Sequence, residues 1–252
     1  MKNELGHRGA KTRESATLAK VGALQGAMKQ LSSGNTLQRA SAAAWLGQHR
    51  SRTAIPSLLK SLRDTNGEVR MRAVESLRMF PDDNGTILLS LRPLLRDREE
   101  LVRIEVAFAM GAIGSNKALP WLRSALKDRS PLVRSYVAGA LGILGDRFER
   151  VFLLKLLASE RSATAMIGYF SALYNLGIRG ALVCLVGLGK TADYRLRISV
   201  ANNVRNIVED GEDRKLVLSA IPLLLANETE ASVRDAWNLC RRKFILRRSR
   251  SK

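Results

Sequence analysis

A chain of 252 residues that is 46% hydrophobic and 26% charged can bury a large core, which excludes a disordered or fibrous polypeptide. Its 42 Lys and Arg against 23 Asp and Glu leave a net charge of +19, which calls for an acidic counterpart such as nucleic acid, an acidic protein face or anionic lipid, and says nothing of the fold. No apolar run reaches the roughly eighteen residues of a membrane span, and the N-terminal MKNELGHRGAKTRE lacks the apolar centre of an export signal, so the sequence predicts a cytoplasmic chain without a transmembrane segment.

Taken in order, residues 1–15 are polar and basic and read as an N-terminal arm. Leu18, Val21, Leu24, Met28 and Leu31 then recur at three- and four-residue steps and mark a helical face. A turn at Ser32–Asn35 leads to a second, alanine-rich helix over Thr36–Gln48. From there one plan repeats: a first helix, a short turn carrying an acid, a second helix, and a turn marked by Gly or Pro. The predicted pairs are Ile55–Leu62 with Val69–Phe80, Leu88–Leu95 with Val102–Ile113, and Leu119–Leu126 with Val133–Leu144. Val151–Leu157 with Ala163–Leu176, Ala181–Leu188 with Leu196–Val208, and Leu216–Leu225 with Val233–Phe244 follow. Residues 16–246 thus read as one repeat array and residues 247–252 as a basic tail. Each pair leaves an apolar face that only its neighbours can cover.

The repeat is sharpest in SPLVRSYVAGALGILGD, Ser130–Asp146, with further copies at Asp64–Leu77, Glu99–Gly114, Asp193–Val204 and Glu230–Cys240. Aligned on the Val-Arg arginine, the copies fall at Arg39, Arg70, Arg103, Arg134, Met166, Arg197 and Arg234, a period near 31 residues. The pattern of Asp, Val-Arg, small residues and Ala-Leu-Gly-x-Leu-Gly-Asp resembles the short HEAT-like repeats of bacterial proteins, including those of phycobilisome lyases. The resemblance implies an all-α, right-handed α-solenoid of about seven helix pairs. It also implies that the columns Asp64 with Arg70, Asp97 with Arg103 and Asp128 with Arg134 are structural and line the seams between repeats, where an arginine fork bonds carboxylates and helix-end carbonyls. Met166 breaks the column, and its repeat, which has Glu160 in place of an aspartate and carries Tyr169, Phe170 and Tyr174, reads as a packing variant ahead of a specialised contact site.

Catalytic patterns are thin. His7 and His49 have no metal-ligand spacing, Cys184 and Cys240 read as buried reduced thiols, and Gly187-Leu-Gly189-Lys190 lacks the context of a phosphate loop. No cofactor, metal site or small-molecule substrate is indicated, and the expectation is that the chain is not an enzyme. HEAT-like DNA glycosylases share the size and basic charge, and Trp45, Trp121, Trp237, Tyr136 and Glu105 are the residues such a site would draw on; as scattered aromatics these read as core. Nothing marks a bilin site of the lyase type.

Two surfaces remain as partner sites. The outward arc of the second helices carries Arg72, Glu75, Phe108, Tyr136, Tyr174 and Asn202, a mixed face that suits a protein or helical peptide ahead of a row of phosphates. The first helices end in a basic flank, Lys60, Arg63, Arg92, Arg96, Arg123, Lys127, Lys155 and Lys190, which Arg241, Arg242, Arg247 and Arg248 extend at the C-terminus. Helix macrodipoles account for part of that pattern. The sequence therefore predicts a HEAT-like scaffold for an acidic partner, a protein or peptide first and DNA or RNA second.

Overall fold

The computed structural model describes residues 21–80, 84–209 and 211–246, and among them there is helix but no strand. The chain forms two units, Met1–Ile113 and Gly114–Lys252. The first contains α1 (residues 21–33), α2 (Thr36–Gln48), α3 (Ile55–Ser61), α4 (Gly67–Leu77), α5 (Asn84–Leu91) and α6 (Glu100–Ile113). The second contains α7 (Leu119–Ala125), α8 (Pro131–Leu144), α9 (Arg147–Leu157), α10 (Ala163–Asn175), α11 (Gly180–Gly187), α12 (Tyr194–Ile207), α13 (Glu212–Leu225) and α14 (Ala231–Leu246). This is the all-α, repeated helix-pair architecture that the period implies. The arm and the tail lie outside the described residues.

Helix starts follow local chemistry. Asn35 and Gln38 form a reciprocal capping box at α2, the Asn66 side chain accepts from Glu68 N, and Ser130 accepts from Val133 N. Pro sits in the first turn of α3, α7 and α8, where its missing N–H costs nothing. Pro93 instead follows α5 closely and turns Arg92–Arg96 into a 3₁₀ segment. Several first helices begin a turn earlier than the apolar pattern indicates: α5 at Asn84, α9 at Arg147 and α13 at Glu212. At α9 the reason is visible, because Asp146 caps the helix through Phe148 N, and a polar first turn carries no apolar signal.

Packing buries the faces that the periodicity marks. In the first unit Leu46, Leu58, Val69, Leu77, Ile87, Leu91, Val106 and Met110 are fully enclosed. In the second, one cluster runs from Ile167 through Leu185, Val200, Val217 and Trp237 to Phe244. Second helices approach closely where side chains are small. A Cβ on Gly47 would collide with Ser76, whose Oγ donates to Ala43 O at 2.7 Å across the α2–α4 contact. A Cβ on Gly168 would collide with the backbone of Ser135, so only glycine permits the observed α8–α10 approach. Cys240 is buried as expected, and the apolar surroundings push its thiol up to about 11, whereas Cys184 is exposed, because its position on α11 turns away from the stack.

Candidate functional site

The arginine column forms a ladder. Arg39 grips Asp64 with two nitrogens at 2.7 and 2.9 Å, Arg70 grips Asp97 at 2.7 and 2.6 Å, Arg134 grips Glu160 at 2.8 and 2.9 Å, and Arg197 grips Glu228 at 2.7 and 3.0 Å. The third nitrogen turns back to its own repeat: Arg70 to Asp64 O and Arg134 to Asp128 O, both at 2.8 Å, and Arg103 to Asp97 O at 2.9 Å. Each acid also accepts the backbone N–H two residues on, as Asp97 does from Glu99 and Glu160 from Ser162, so one carboxylate caps its own turn and holds the previous repeat. Within each unit the side-chain pairing therefore runs from one repeat to the next, and the within-repeat link of Arg70 to Asp64 and of Arg134 to Asp128 is through backbone carbonyls. Hydrogen bonds from Arg39, Arg134 and Arg197 hold Asp64, Glu160 and Glu228 below the usual carboxylate range. For Asp97 burial pulls upward, and Arg70 still holds it low.

One seam lacks this rung. Arg197 bonds Thr191 O at 2.8 Å, which puts Thr191 where the other repeats place an acid, while Met166 stands where they place the arginine. Both halves of the pair are replaced together. The links there are Ser171 Oγ to Asn203 Oδ1 at 3.3 Å and the Tyr174 hydroxyl donating to Asp213 Oδ2 at 2.9 Å. A cleft of about 490 Å³ opens at this seam, lined by Ile143, Tyr174, Asn175, Arg179, Ile207 and Asp213, with Gly142, Gly177 and Glu209. Gly177, at φ +91°, ends α10 with Ile178 N bonded to Leu173 O, a left-handed cap that sends the chain toward Arg179 on the cleft rim. Burial and the hydrogen bond to Asp213 push the Tyr174 hydroxyl up to about 12, so it is a neutral donor at physiological pH.

Beside the cleft, α8 exposes an uncharged stripe. Leu132, Tyr136 and Ile143 are 39%, 44% and 61% exposed, and with Gly139 they fall on one helical face at steps of four, three and four residues. A Cβ on Gly139 would meet nothing within 4 Å, so the centre of the stripe is a flat, open spot. Ile143 joins the stripe to the cleft. Exposed arginines precede the two helices, Arg129 before α8 and Arg161 before α10, and Arg179 lines the cleft 3.9 Å from Asp213.

The sequence-marked residues distribute around these features. In the first unit Arg72 is neutralised on its own helix by Glu68 and Glu75 at 2.8 and 3.0 Å, and Phe108 lies exposed beneath Arg78 at 5.0 Å. Glu105 is 3.3 Å from Arg78, and burial raises its carboxyl above the ordinary range. Lys60, Arg63, Arg92 and Arg96 are exposed. In the second unit Tyr136 lies in the stripe, Tyr174 in the cleft and Asn202 on α12, and Lys127, Lys155, Lys190, Arg241 and Arg242 are exposed. Arg123 stands apart from the flank, because it holds the buried Glu149, with Nε at 2.9 Å. Arg247 and Arg248 lie outside the described residues. Of the aromatics, Trp237 and Tyr169 are core, and Trp45 stacks on His49 at 3.7 Å. Among the described residues no group of His, Cys, Asp and Glu could hold a metal, and no helix is long and apolar enough to cross a membrane. Sequence reasoning missed Leu132, Ile143, Arg179 and Asp213. Leu132 and Ile143 are apolar residues in a helical pattern that reads as core, and Asp213, 39 residues from Tyr174, has no local signal.

No curated protein sequence matches the chain. Among solved structures, the complex of CpcE and CpcF of phycocyanin lyase from Nostoc sp. PCC7120 is similar at TM-score 0.60 and 18% identity over 85% of this chain and 93% of that one. Human deoxyhypusine hydroxylase is 20% identical over 88% of this chain and 84% of that one, at TM-score 0.37. The first of these corrects the expectation that the chain is not an enzyme: a phycocyanin lyase is built on the same fold, so a helical repeat array with few catalytic motifs is no argument against catalysis. The family model for HEAT repeats matches residues 24–90 and 88–173, the span that holds the ladder from Arg39 to Glu160 and the α8 stripe, and the chain belongs to the HEAT-repeat family.

Proposed function

We propose that this HEAT-repeat chain binds an acidic protein, and that it does so by seating an amphipathic helix of that partner on the α8 stripe and the adjoining cleft. The observation that carries the reading is the exposed run Leu132, Tyr136, Gly139 and Ile143, an uncharged strip on a protein of net charge +19. A helix laid in a groove is anchored by apolar side chains at such steps. Gly139 leaves room for the partner backbone to come close, Tyr136 supplies an aromatic anchor with a polar tip, and the cleft accepts side chains beyond Ile143. Arg129 directly precedes the helix that carries the strip and Arg179 lines the cleft beyond Ile143, which favours acidic residues at the partner's flanks. The exposed Lys60, Arg63, Arg96, Lys127, Lys155 and Lys190 then act at longer range, raising the encounter rate of an acidic partner. The complex of CpcE and CpcF, a two-protein assembly of similar fold, supports a protein as the partner.

The test is site-specific photo-cross-linking from position 136. A benzophenone side chain in place of Tyr136 is expected to join to an acid-rich helical segment of one protein, mapped by mass spectrometry, and the adduct is expected to vanish when Gly139→Leu fills the centre of the strip. Adducts to nucleic acid, or a protein adduct that Gly139→Leu leaves intact, would remove the proposal.

A further inference from the structure

Directly after α8 in the chain, α9 carries a second exposed apolar surface, and we infer that it docks on an anionic lipid bilayer. Phe148, Val151 and Leu154 are 66%, 57% and 45% exposed, and they lie along one side of the helix. Arg147, Arg150 and Lys155, all exposed, alternate with them around the same arc, and Arg147 sits 5.4 Å over the Phe148 ring. The one acid of the helix, Glu149, is turned inward and held by Arg123, so the outer arc bears three cations and no anion. The ion pair thus clears the surface of the charge that would repel a negative partner.

Size decides which negative partner. An α-helix of 11 residues is about 16 Å long, and its outer strip covers on the order of 200 Å². A stable protein interface takes roughly 800 Å² from each partner, and among the lining residues of the described clefts none belongs to α9. A bilayer needs no such area, because protruding apolar side chains enter the headgroup boundary while interleaved Arg and Lys reach lipid phosphates on every side. Phe148, Val151 and Leu154 do not line the cleft beside α8, although the Arg150 guanidinium lies against Gly177 on the rim of that cleft.

The experiment is co-sedimentation of the full chain with vesicles of phosphatidylcholine alone and of phosphatidylcholine with about 30% phosphatidylserine, the anionic lipid of cytoplasmic leaflets. Binding is expected to the anionic vesicles only. Phe148→Ser with Val151→Ser should weaken it at least tenfold. That pair leaves the charge untouched, so its effect reads the apolar stripe and not the overall +19. Arg150→Gln should weaken binding about fivefold, as expected for one cation near the surface. Tyr136→Ala should bind vesicles as the wild type does, which keeps this result independent of the α8 site. No sedimentation with anionic vesicles, or sedimentation unchanged by the double serine variant, would overturn the inference.

Discussion

Arg70 reaches Asp97 with two nitrogens and the Asp64 and Thr65 carbonyls with a third, from a position where its side chain is 8% exposed and that of Asp97 9%. Removing one partner leaves the other buried and uncompensated, so Arg70→Ala is expected to destabilise by about 3–5 kcal/mol in urea titration. Arg70→Lys keeps the charge but not the fork, and should still lose most of that amount. The same residues set a pH dependence. Asp64, Asp97, Glu160 and Glu228 have depressed folded-state values, so the stability they contribute is complete above the ordinary carboxylate range and is lost as pH falls through the depressed values. Glu105 is the opposite case: burial raises it, and the stability it contributes is present at low pH and lost as pH rises through the raised value. Relative to wild type, Asp97→Asn should cost more at pH 7 than at about pH 2.5, and Glu105→Gln should be more favourable at pH 7 than at about pH 4. Parallel shifts for the two variants would show that the burial of one or the other has been misjudged.

At the scale of elements, α8 separates stability from binding within one helix. Its inner residues Val133, Val137 and Leu141 are fully buried, while Gly139 faces open space. Gly139→Ala should therefore raise stability by about 0.5–1 kcal/mol, the ordinary helix gain, with no clash to offset it. The α10 seam offers the complementary test. Met166→Arg alone places a cation where no acid waits, and Thr191→Asp alone does the converse; together they should restore the rung, with a favourable coupling of about 1 kcal/mol in a double-mutant cycle. The loss of the arginine was visible in the sequence because Met166 interrupts a column of identical residues. The loss at Thr191 was not, because the acid column is defined by which carbonyl each arginine reaches, six residues back, and that is seen only once the turn is folded. Glu160 was visible as the acid of the Met166 repeat but its pairing was not: a glutamate in an aspartate column keeps the carboxylate and moves its oxygens outward by one methylene, and Arg134 meets it with both nitrogens.

For the whole chain, the 31-residue period was enough to read the fold, because within each unit neighbouring repeats bury their faces against one another and the same small and apolar positions recur in each. The candidate site was only partly legible. Tyr136 and Phe108 stood out as aromatics on an outward arc, but Leu132 and Ile143 look like core residues until the folded neighbours of α8 leave them uncovered. The net charge of +19 told the sign of a partner and not its place, since Arg123 spends its charge on Glu149, Arg72 on Glu68 and Glu75, and Arg179 faces Asp213 at 3.9 Å, while Arg129 and Arg161 are exposed before α8 and α10. The central claim is that an acidic helix docks on the uncharged strip of α8, and the most direct measurement is calorimetric titration of the chain with a synthetic peptide spanning the segment cross-linked from position 136. Affinity should fall at least tenfold for both Tyr136→Ala and Gly139→Leu, with melting temperature no lower in the Gly139 variant than in wild type. A peptide bound equally well by the wild type and by Gly139→Leu would contradict the account.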